Sequence, residues 1–127
     1  MSMRILCAGI SHKTAGIGLR ERLAFDEQAA ASALRRLRQL YGQAEFVIVS
    51  TCNRSEIYVA RPVHAQPRQE QLRGFYGQFH RLPAAEYEPS LYVLAEAEAV
   101  RHLFSVAAGI DSLVPGEEQV LWQLKQA

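Results

Sequence analysis

The 127-residue sequence contains few cysteines, little net charge and no long hydrophobic run. Two cysteines are too few for the disulfide framework of a small secreted protein, so we expect a reducing, cytoplasmic location. No apolar run approaches the roughly 20 residues of a membrane-spanning helix, and the N-terminal segment is typical of a strand rather than a signal peptide. A formal net charge of +1 gives no overall signature of nucleic-acid binding, which would have to use local patches.

The sequence also lacks a G-x-G-x-x-G motif after a predicted strand, so no dinucleotide-binding site is visible. It has no internal repeat and no low-complexity segment. Its composition, 49% hydrophobic and 21% charged, is that of a soluble globular protein, and its length fits one domain with a real core.

Hydrophobic patterning predicts four strands, at 4–10, 45–51, 55–61 and 90–95, and three helices, at 25–42, 68–82 and 96–109. We interpret residues 11–18 as a loop, because two glycines interrupt them. The short gap between the second and third strands predicts that these two strands pair antiparallel. The order predicts an α+β fold, a ferredoxin-like βαββαβ antiparallel sheet with helices on one face, plus C-terminal helices.

The sequence also predicts an N-cap for the first helix and the apolar face of each helix. Asp26 is a suitable N-cap for the first helix, whose buried face we predict to contain Ala30, Ala33, Leu37 and Leu40. The second helix has an apolar face of Leu72, Phe75, Phe79 and Leu82. In the third, the predicted apolar stripe consists of Val100, Leu103, Phe104 and Ala107.

The last segment, 116–127, begins a predicted helix with Glu117 and Glu118 in its first turn. It reaches Ala127 with no glycine, proline or turn residue to end it. We therefore expect a truncated helix, and residues 1–127 to form one domain of a longer protein.

Cys52 is the strongest candidate for chemistry, because it lies where a buried strand meets the polar turn T-C-N-R-S. Arg54 is two residues away, and a guanidinium nearby favours the nucleophilic thiolate. Thr51 adds a hydroxyl that could orient a substrate. The alternative, left open by these residues alone, is a half-buried structural cysteine. Cys7 lies inside an apolar strand and is expected to be inert packing.

Three segments resemble the glutamyl-tRNA reductase family. The segment S-T-C-N-R-S-E-I-Y at 50–58 is similar to the family signature S-T-C-N-R-T-E-[IV]-Y. The segment at 9–25 resembles the family's opening block, in which G-[LI]-[NS]-H-K-T-A-P precedes R-E-[RK]. The segment at 99–127 is similar to its third block, H-L-F-x-V-A-A-G-L-D-S followed by G-E-x-Q-I-L. The three blocks stand in the family order and cover nearly the whole chain.

The resemblance implies a catalytic domain in which Cys52 attacks the ester carbonyl joining glutamate to its tRNA, giving a thioester. NADPH then reduces the thioester to glutamate-1-semialdehyde for tetrapyrrole (5-aminolevulinate) synthesis. A thiolate can displace the ribose of an activated ester without a full triad. The resemblance further implies an NADPH domain and a helical dimerisation domain, both absent from this chain. It implies a homodimer through the latter, and glutamate-1-semialdehyde aminomutase as a candidate partner.

The resemblance also assigns residues to the site. Arg54 would hold the substrate's side-chain carboxylate through its planar fork and so distinguish glutamate from glutamine. His102 would act near the reacting ester, as base, acid or orienter. Without the resemblance, the favoured interpretation of His102 is a boundary histidine of its helix with its hydrogen bonds satisfied. The remaining predicted substrate-binding residues are Thr51, Ser112, Glu117 and Gln119.

The sequence departs from the family pattern at four positions. Gly16 replaces a proline, Ser55 a threonine, Pro115 a leucine and Trp122 a glycine. None of these changes removes a proposed catalytic group.

Two other functions remain open at this stage. One is a non-catalytic ferredoxin-like module that keeps the substrate pocket for regulation or binding; an intact Cys52 argues against it. The other is an independent cysteine-dependent esterase, should the natural chain end near residue 127.

Overall fold

The computed structural model describes residues 2–109, which form a four-stranded antiparallel sheet with helices packed on it. The strands are β1 (Met3–Ser11), β2 (Glu45–Ser50), β3 (Arg54–Pro62) and β4 (Tyr92–Ala95). Their spatial order is β2-β3-β1-β4, and each neighbouring pair is antiparallel. This is the predicted βαββαβ arrangement, and the predicted pairing of β2 with β3 is confirmed.

The helices are α1 (Ile17–Arg22), α2 (Glu27–Leu40), α3 (Gln69–His80), α4 (Ala84–Tyr87) and α5 (Ala97–Ala107), and a 3-10 turn covers Glu88–Ser90. The prediction of a loop over 11–18 is wrong at its end, because α1 begins at Ile17. A six-residue helix is too short to show a 3.6-residue period, and α1 has no capping side chain. None of the helices in residues 2–109 is both long and apolar enough to cross a membrane.

The sheet has an apolar face, covered by α2 and α3. Side chains of a strand alternate between its two faces, and the core on this face includes Leu6, Ala8, Ile10, Phe46, Ile48, Ile57, Val59, Leu37 and Phe75. Asp26 caps α2 as predicted, accepting a hydrogen bond from the Ala29 amide at 2.7 Å. Ala33 and Leu37 are buried, but the prediction is wrong for Leu40, which is the last residue of α2 and is 54% exposed.

The opposite face is covered by α5, and its smaller apolar cluster contains Cys7, Val49, Tyr58, Ala99 and Val106. The predicted stripe on this helix is wrong in one member, because Phe104 is 70% exposed. The helix rests on the sheet through Ala99 and Val106, with Leu103 packed beside them. Phe104 follows Leu103 by about 100° around the helix axis, which turns it away from the sheet.

The direction of α5 decides which groups meet. The backbone of Glu96 donates a hydrogen bond to the Ile5 carbonyl at 2.8 Å, so the helix begins near the start of β1. His102 contacts Glu56, which pairs with Gly9 near the end of β1. The helix therefore runs towards the sheet end that holds the β2–β3 turn. The predicted helix at 116–127, with Pro115 and Trp122, lies outside the described residues.

Candidate active site

Cys52 lies at the tip of a tight connection between β2 and β3, and its side chain is exposed. The Thr51 amide donates to the Arg54 carbonyl at 2.8 Å, which closes the turn. The Asn53 amide donates to the Thr51 Oγ1 at 3.1 Å. The hydroxyl of Thr51 therefore shapes the backbone that carries the cysteine.

Two further segments hold this turn in place. The His12 amide, just after β1, donates to the Asn53 carbonyl at 2.8 Å. From α1, Arg20 donates its Nε–H to the Cys52 carbonyl at 3.2 Å. The first sequence block thus lies directly against the cysteine turn.

The two cysteines differ sharply in environment. Cys7 is fully buried, and burial, together with the nearby Glu56 carboxylate, raises the pKa of its thiol well above the ordinary value. A thiol is nucleophilic only as thiolate, so Cys7 is inert packing near neutral pH. Cys52 is the exposed thiol of the two.

A buried polar network lies behind the turn, on the α5 face of the sheet, and is centred on Glu56. The Oε2 atom of Glu56 lies 3.3 Å from Arg54 Nη1 and 2.5 Å from His102 Nε2. The Tyr92 hydroxyl also donates to Oε2, and the Tyr58 hydroxyl donates to Oε1 at 2.8 Å. Arg54 and Glu56 are almost completely buried, whereas the His102 side chain is 18% exposed. The carboxylate thus connects a buried cation to a histidine that reaches the surface.

The strand register explains how this network assembles. Residues 54, 56 and 58 of β3 point to the same face because strand side chains alternate. Gly9 is the partner of Glu56 on β1, and a Cβ there would lie 2.4 Å from the Ser55 carbonyl oxygen and 2.7 Å from Glu56 Cγ. Glycine at position 9 therefore leaves the space that the glutamate occupies. Tyr92 pairs with Gly9 from the other side and closes the network.

Charge holds Glu56 in its ionised form. Burial alone would raise the pKa of its carboxyl, but the hydrogen bond and charge of His102, the Tyr92 hydroxyl and the Arg54 guanidinium together lower it. Burial and the Glu56 carboxylate raise the pKa of the Tyr58 and Tyr92 hydroxyls, so both remain protonated hydrogen-bond donors. A carboxylate that is hydrogen-bonded to the Nε2 atom of a histidine fixes the orientation of the imidazole ring.

The structure brings together some predicted site residues. Cys52, Thr51 and Arg54 share one turn, and Arg54 and His102 meet at Glu56, with Arg54 Nη1 at 3.5 Å from His102 Nε2. Arg54 lies beneath the surface in this network, so a substrate carboxylate would have to meet it at the base of a pocket. Three further predicted residues lie outside the described part of the chain: Ser112, Glu117 and Gln119.

Glu56 was assigned no role from the sequence, although this residue lies in the motif at 50–58. A signal was present, because Arg54 and Glu56 stand two apart at the start of the third strand, where residues two apart share a face. What the pattern could not give is the identity of the partners from β4 and α5.

A separate groove lies elsewhere on the molecule. It has a volume of about 710 Å³ and runs between α5 and the β2–β3 edge, at the sheet end opposite Cys52, with Ile5, Val47, Ala60 and Leu103 among its lining residues. None of the predicted site residues within 2–109 lines it. Among residues 2–109, no group of three His, Cys, Asp or Glu side chains is placed to hold a metal ion.

Residues 2–109 do not fit a dinucleotide either. Their sheet is antiparallel and no G-x-G-x-x-G follows any of its strands, whereas dinucleotide sites use a glycine-rich turn from a parallel strand into a helix.

A family model described as the N-terminal domain of glutamyl-tRNA(Glu) reductase matches residues 8–127. The chain belongs to this family. Similar glutamyl-tRNA reductases include that of Marinobacter nauticus, 46% identical over 125 residues, which cover 98% of this chain and 28% of the relative. That of Thermodesulfovibrio yellowstonii is 41% identical over 131 residues, covering 98% of this chain and 30% of the relative.

A solved structure, the glutamyl-tRNA reductase from Methanopyrus kandleri, superposes with a TM-score of 0.68 at 28% identity. The match covers 96% of this chain and 26% of that one. The chain therefore spans less than a third of the length of these glutamyl-tRNA reductases, and the shared part carries the four-stranded fold and the Cys52 turn.

Proposed function

We propose that this chain performs the acyl-transfer half of the glutamyl-tRNA reductase reaction, with Cys52 as the nucleophile. The observation that carries the proposal is the exposed Cys52 on a turn fixed by two backbone–backbone hydrogen bonds and one to the Thr51 hydroxyl, beside a buried Arg54–Glu56–His102 network. A positioned nucleophile with an oriented base nearby is the arrangement that covalent catalysis requires.

In the proposed step, the Cys52 thiolate attacks the carbonyl carbon of the aminoacyl ester and forms a carbon–sulfur bond. The carbon–oxygen bond to the ribose breaks, its electron pair leaves with the ribose oxygen, and that oxygen takes a proton. The products are a glutamyl thioester and free tRNA. We assign the proton transfer to His102, because Glu56 Oε2 at 2.5 Å holds its ring in one orientation.

Arg54 is the proposed selector of glutamate. Its guanidinium is held by Glu56 in a site with almost no solvent. Charge-assisted hydrogen bonds are stronger where water is excluded, so a second carboxylate reaching this guanidinium would be favoured over an amide.

The proposed contributions of Ser112, Glu117 and Gln119 rest on the family motif and on the direction of α5. That helix ends at Ala107, at the sheet end that holds Cys52.

The later steps are proposed for parts of the protein beyond residues 2–109. Because these residues do not fit a dinucleotide, we propose that NADPH is held by a separate domain, and that homodimerisation and any contact with glutamate-1-semialdehyde aminomutase also occur outside this chain. A cytoplasmic location and a place in tetrapyrrole synthesis belong to the same proposal.

The test is intact-mass analysis of the chain after mixing with glutamyl-tRNA and quenching in acid. We expect a glutamyl adduct on the unsubstituted chain and none on Cys52→Ser. Cys7→Ala is the matched control, because it removes the buried thiol, and it should retain the adduct. Absence of both adduct and accelerated ester hydrolysis in the unsubstituted chain would overturn the proposal.

A further inference from the structure

Arg20 connects three segments around the cysteine turn. Its Nε–H donates to the Cys52 carbonyl at 3.2 Å, and its Nη1 donates to the Ala15 carbonyl at 2.9 Å. The side chain thus joins helix α1, the loop after β1 and the residue that carries the thiol. Cys52 and Arg20 are 32 residues apart in sequence, so this is a tertiary contact and not a local turn bond.

The next arginine on the same helix behaves differently. Arg22 pairs with Glu86 at 3.1 Å, and both side chains are about half exposed. A surface ion pair of this kind contributes little to stability. Arg20 instead donates to two backbone carbonyls, one from Nε and one from Nη1. The planar guanidinium presents these donors in a rigid arrangement, so it can bind two acceptors at once.

The need for such a contact follows from the local structure. Only three residues connect β2 to β3, and Cys52 is the exposed one in their middle. Helix α1 has no fully buried residue, and Ile17 at its start is 65% exposed. Leu19 packs against the core from α1 while only partly buried, and the Arg20 bonds join this helix to the carbonyl of Cys52.

We infer that Arg20 is a positioning residue for Cys52, fixing the carbonyl of that residue and with it the direction of its side chain. The inference rests on the proposed role of Cys52 as nucleophile. Acyl transfer requires the sulfur to approach the ester carbon to about 3–3.5 Å in line with the carbonyl orbital, and small misplacements are costly. A backbone that rotates about the cysteine would lose that alignment without losing the thiol.

The experiment compares Arg20→Met, Arg20→Lys and Arg22→Met with the unsubstituted chain. The first readout is the rate of glutamyl adduct formation at saturating glutamyl-tRNA, together with the tRNA concentration that gives half the maximal rate. We expect the maximal rate of Arg20→Met to fall about tenfold or more, with little change in the half-saturating concentration. Arg20→Lys should recover part of the rate, added methylguanidinium should partly rescue Arg20→Met, and Arg22→Met should match the unsubstituted chain.

The second readout needs no substrate. Amide hydrogen exchange reports local opening, and Arg20→Met should speed exchange at residues 51–54 and 12 while leaving the other strands protected. Arg22→Met should leave these amides unchanged.

The outcomes distinguish a failure of the Arg20 inference from a failure of the proposed function. An Arg20→Met chain that acylates at the original rate, or whose turn amides exchange as before, overturns the inference. Equal losses in Arg20→Met and Arg22→Met would mean that α1 as a whole matters, and this also overturns it. If the unsubstituted chain neither forms an adduct nor accelerates ester hydrolysis, the proposed function fails, and the exchange data then decide alone whether Arg20 holds the turn.

Discussion

On strand β3, Ile57 and Glu56 are neighbours that face opposite sides of the sheet. Ile57 is fully buried in the apolar core against α2 and α3, whereas Glu56 is fully buried in the polar network beneath α5. Residues on the apolar face have to be hydrophobic and to fit the available space. The polar face buries a charge, which is tolerated only when every hydrogen-bonding position is matched. The comparison separates the face that holds the fold together from the face that prepares the site.

The largest expected effect is on the apolar face. Ile57→Ala removes buried methyl groups and leaves a cavity, so the free energy of unfolding should fall by about 2–5 kcal/mol. Denaturant unfolding followed by circular dichroism measures this. The rate of adduct formation per folded molecule should remain close to that of the unsubstituted chain. If folded Ile57→Ala molecules form the adduct more slowly than the unsubstituted chain, packing on the apolar face also affects the site.

The matched substitution on the polar face is Glu56→Gln. An amide has one acceptor oxygen, so its NH₂ group would face the Arg54 and His102 donors or the Tyr58 hydroxyl. Because His102 then loses its orienting carboxylate, adduct formation should slow on the order of 100-fold. Unfolding measurements should show a smaller loss, about 1–3 kcal/mol.

A Glu56→Gln chain with full adduct-forming activity and unchanged stability would contradict the assigned role of the network. Glu86→Gln is the control, since Glu86 pairs with Arg22 on the surface. It should change neither measurement.

Acid should act on the polar face through Glu56. The folded state lowers the pKa of this carboxyl below its ordinary value of 4.5, so ionised Glu56 stabilises the fold above that pH. This contribution should be lost as the pH falls below about 4.5 and through the lowered folded-state pKa. Stability curves against pH for the unsubstituted chain and Glu56→Gln should therefore converge in acid. Parallel curves would show that the charge of Glu56 adds nothing to the fold.

The sequence predicted the apolar face better than the polar one. The positions of Ala33 and Leu37 follow from a 3.6-residue period, and the Asp26 cap follows from local chemistry, so neither needs knowledge of the rest of the chain. The motif around Cys52 located the turn and Arg54, and the third block located His102. Glu56 could not be assigned a role, because two of its partners, Tyr92 and His102, come from β4 and α5. Arg20 could not either, because its contact depends on how α1 folds back onto a turn 32 residues away.

The smallest expected effect is at Phe104, where periodicity gave the wrong face. Phe104 is 70% exposed and Val106, two residues later on α5, is fully buried. Phe104→Ser should change the free energy of unfolding by less than about 0.5 kcal/mol, as exposed substitutions usually do. Val106→Ala on the same helix should cost about 1–2 kcal/mol, because it removes buried methyl groups. Denaturant unfolding of both variants tests the contrast. A loss above 1 kcal/mol for Phe104→Ser would mean that this ring packs against another part of the chain, and that the α5 side of the molecule contains more apolar burial than residues 2–109 account for.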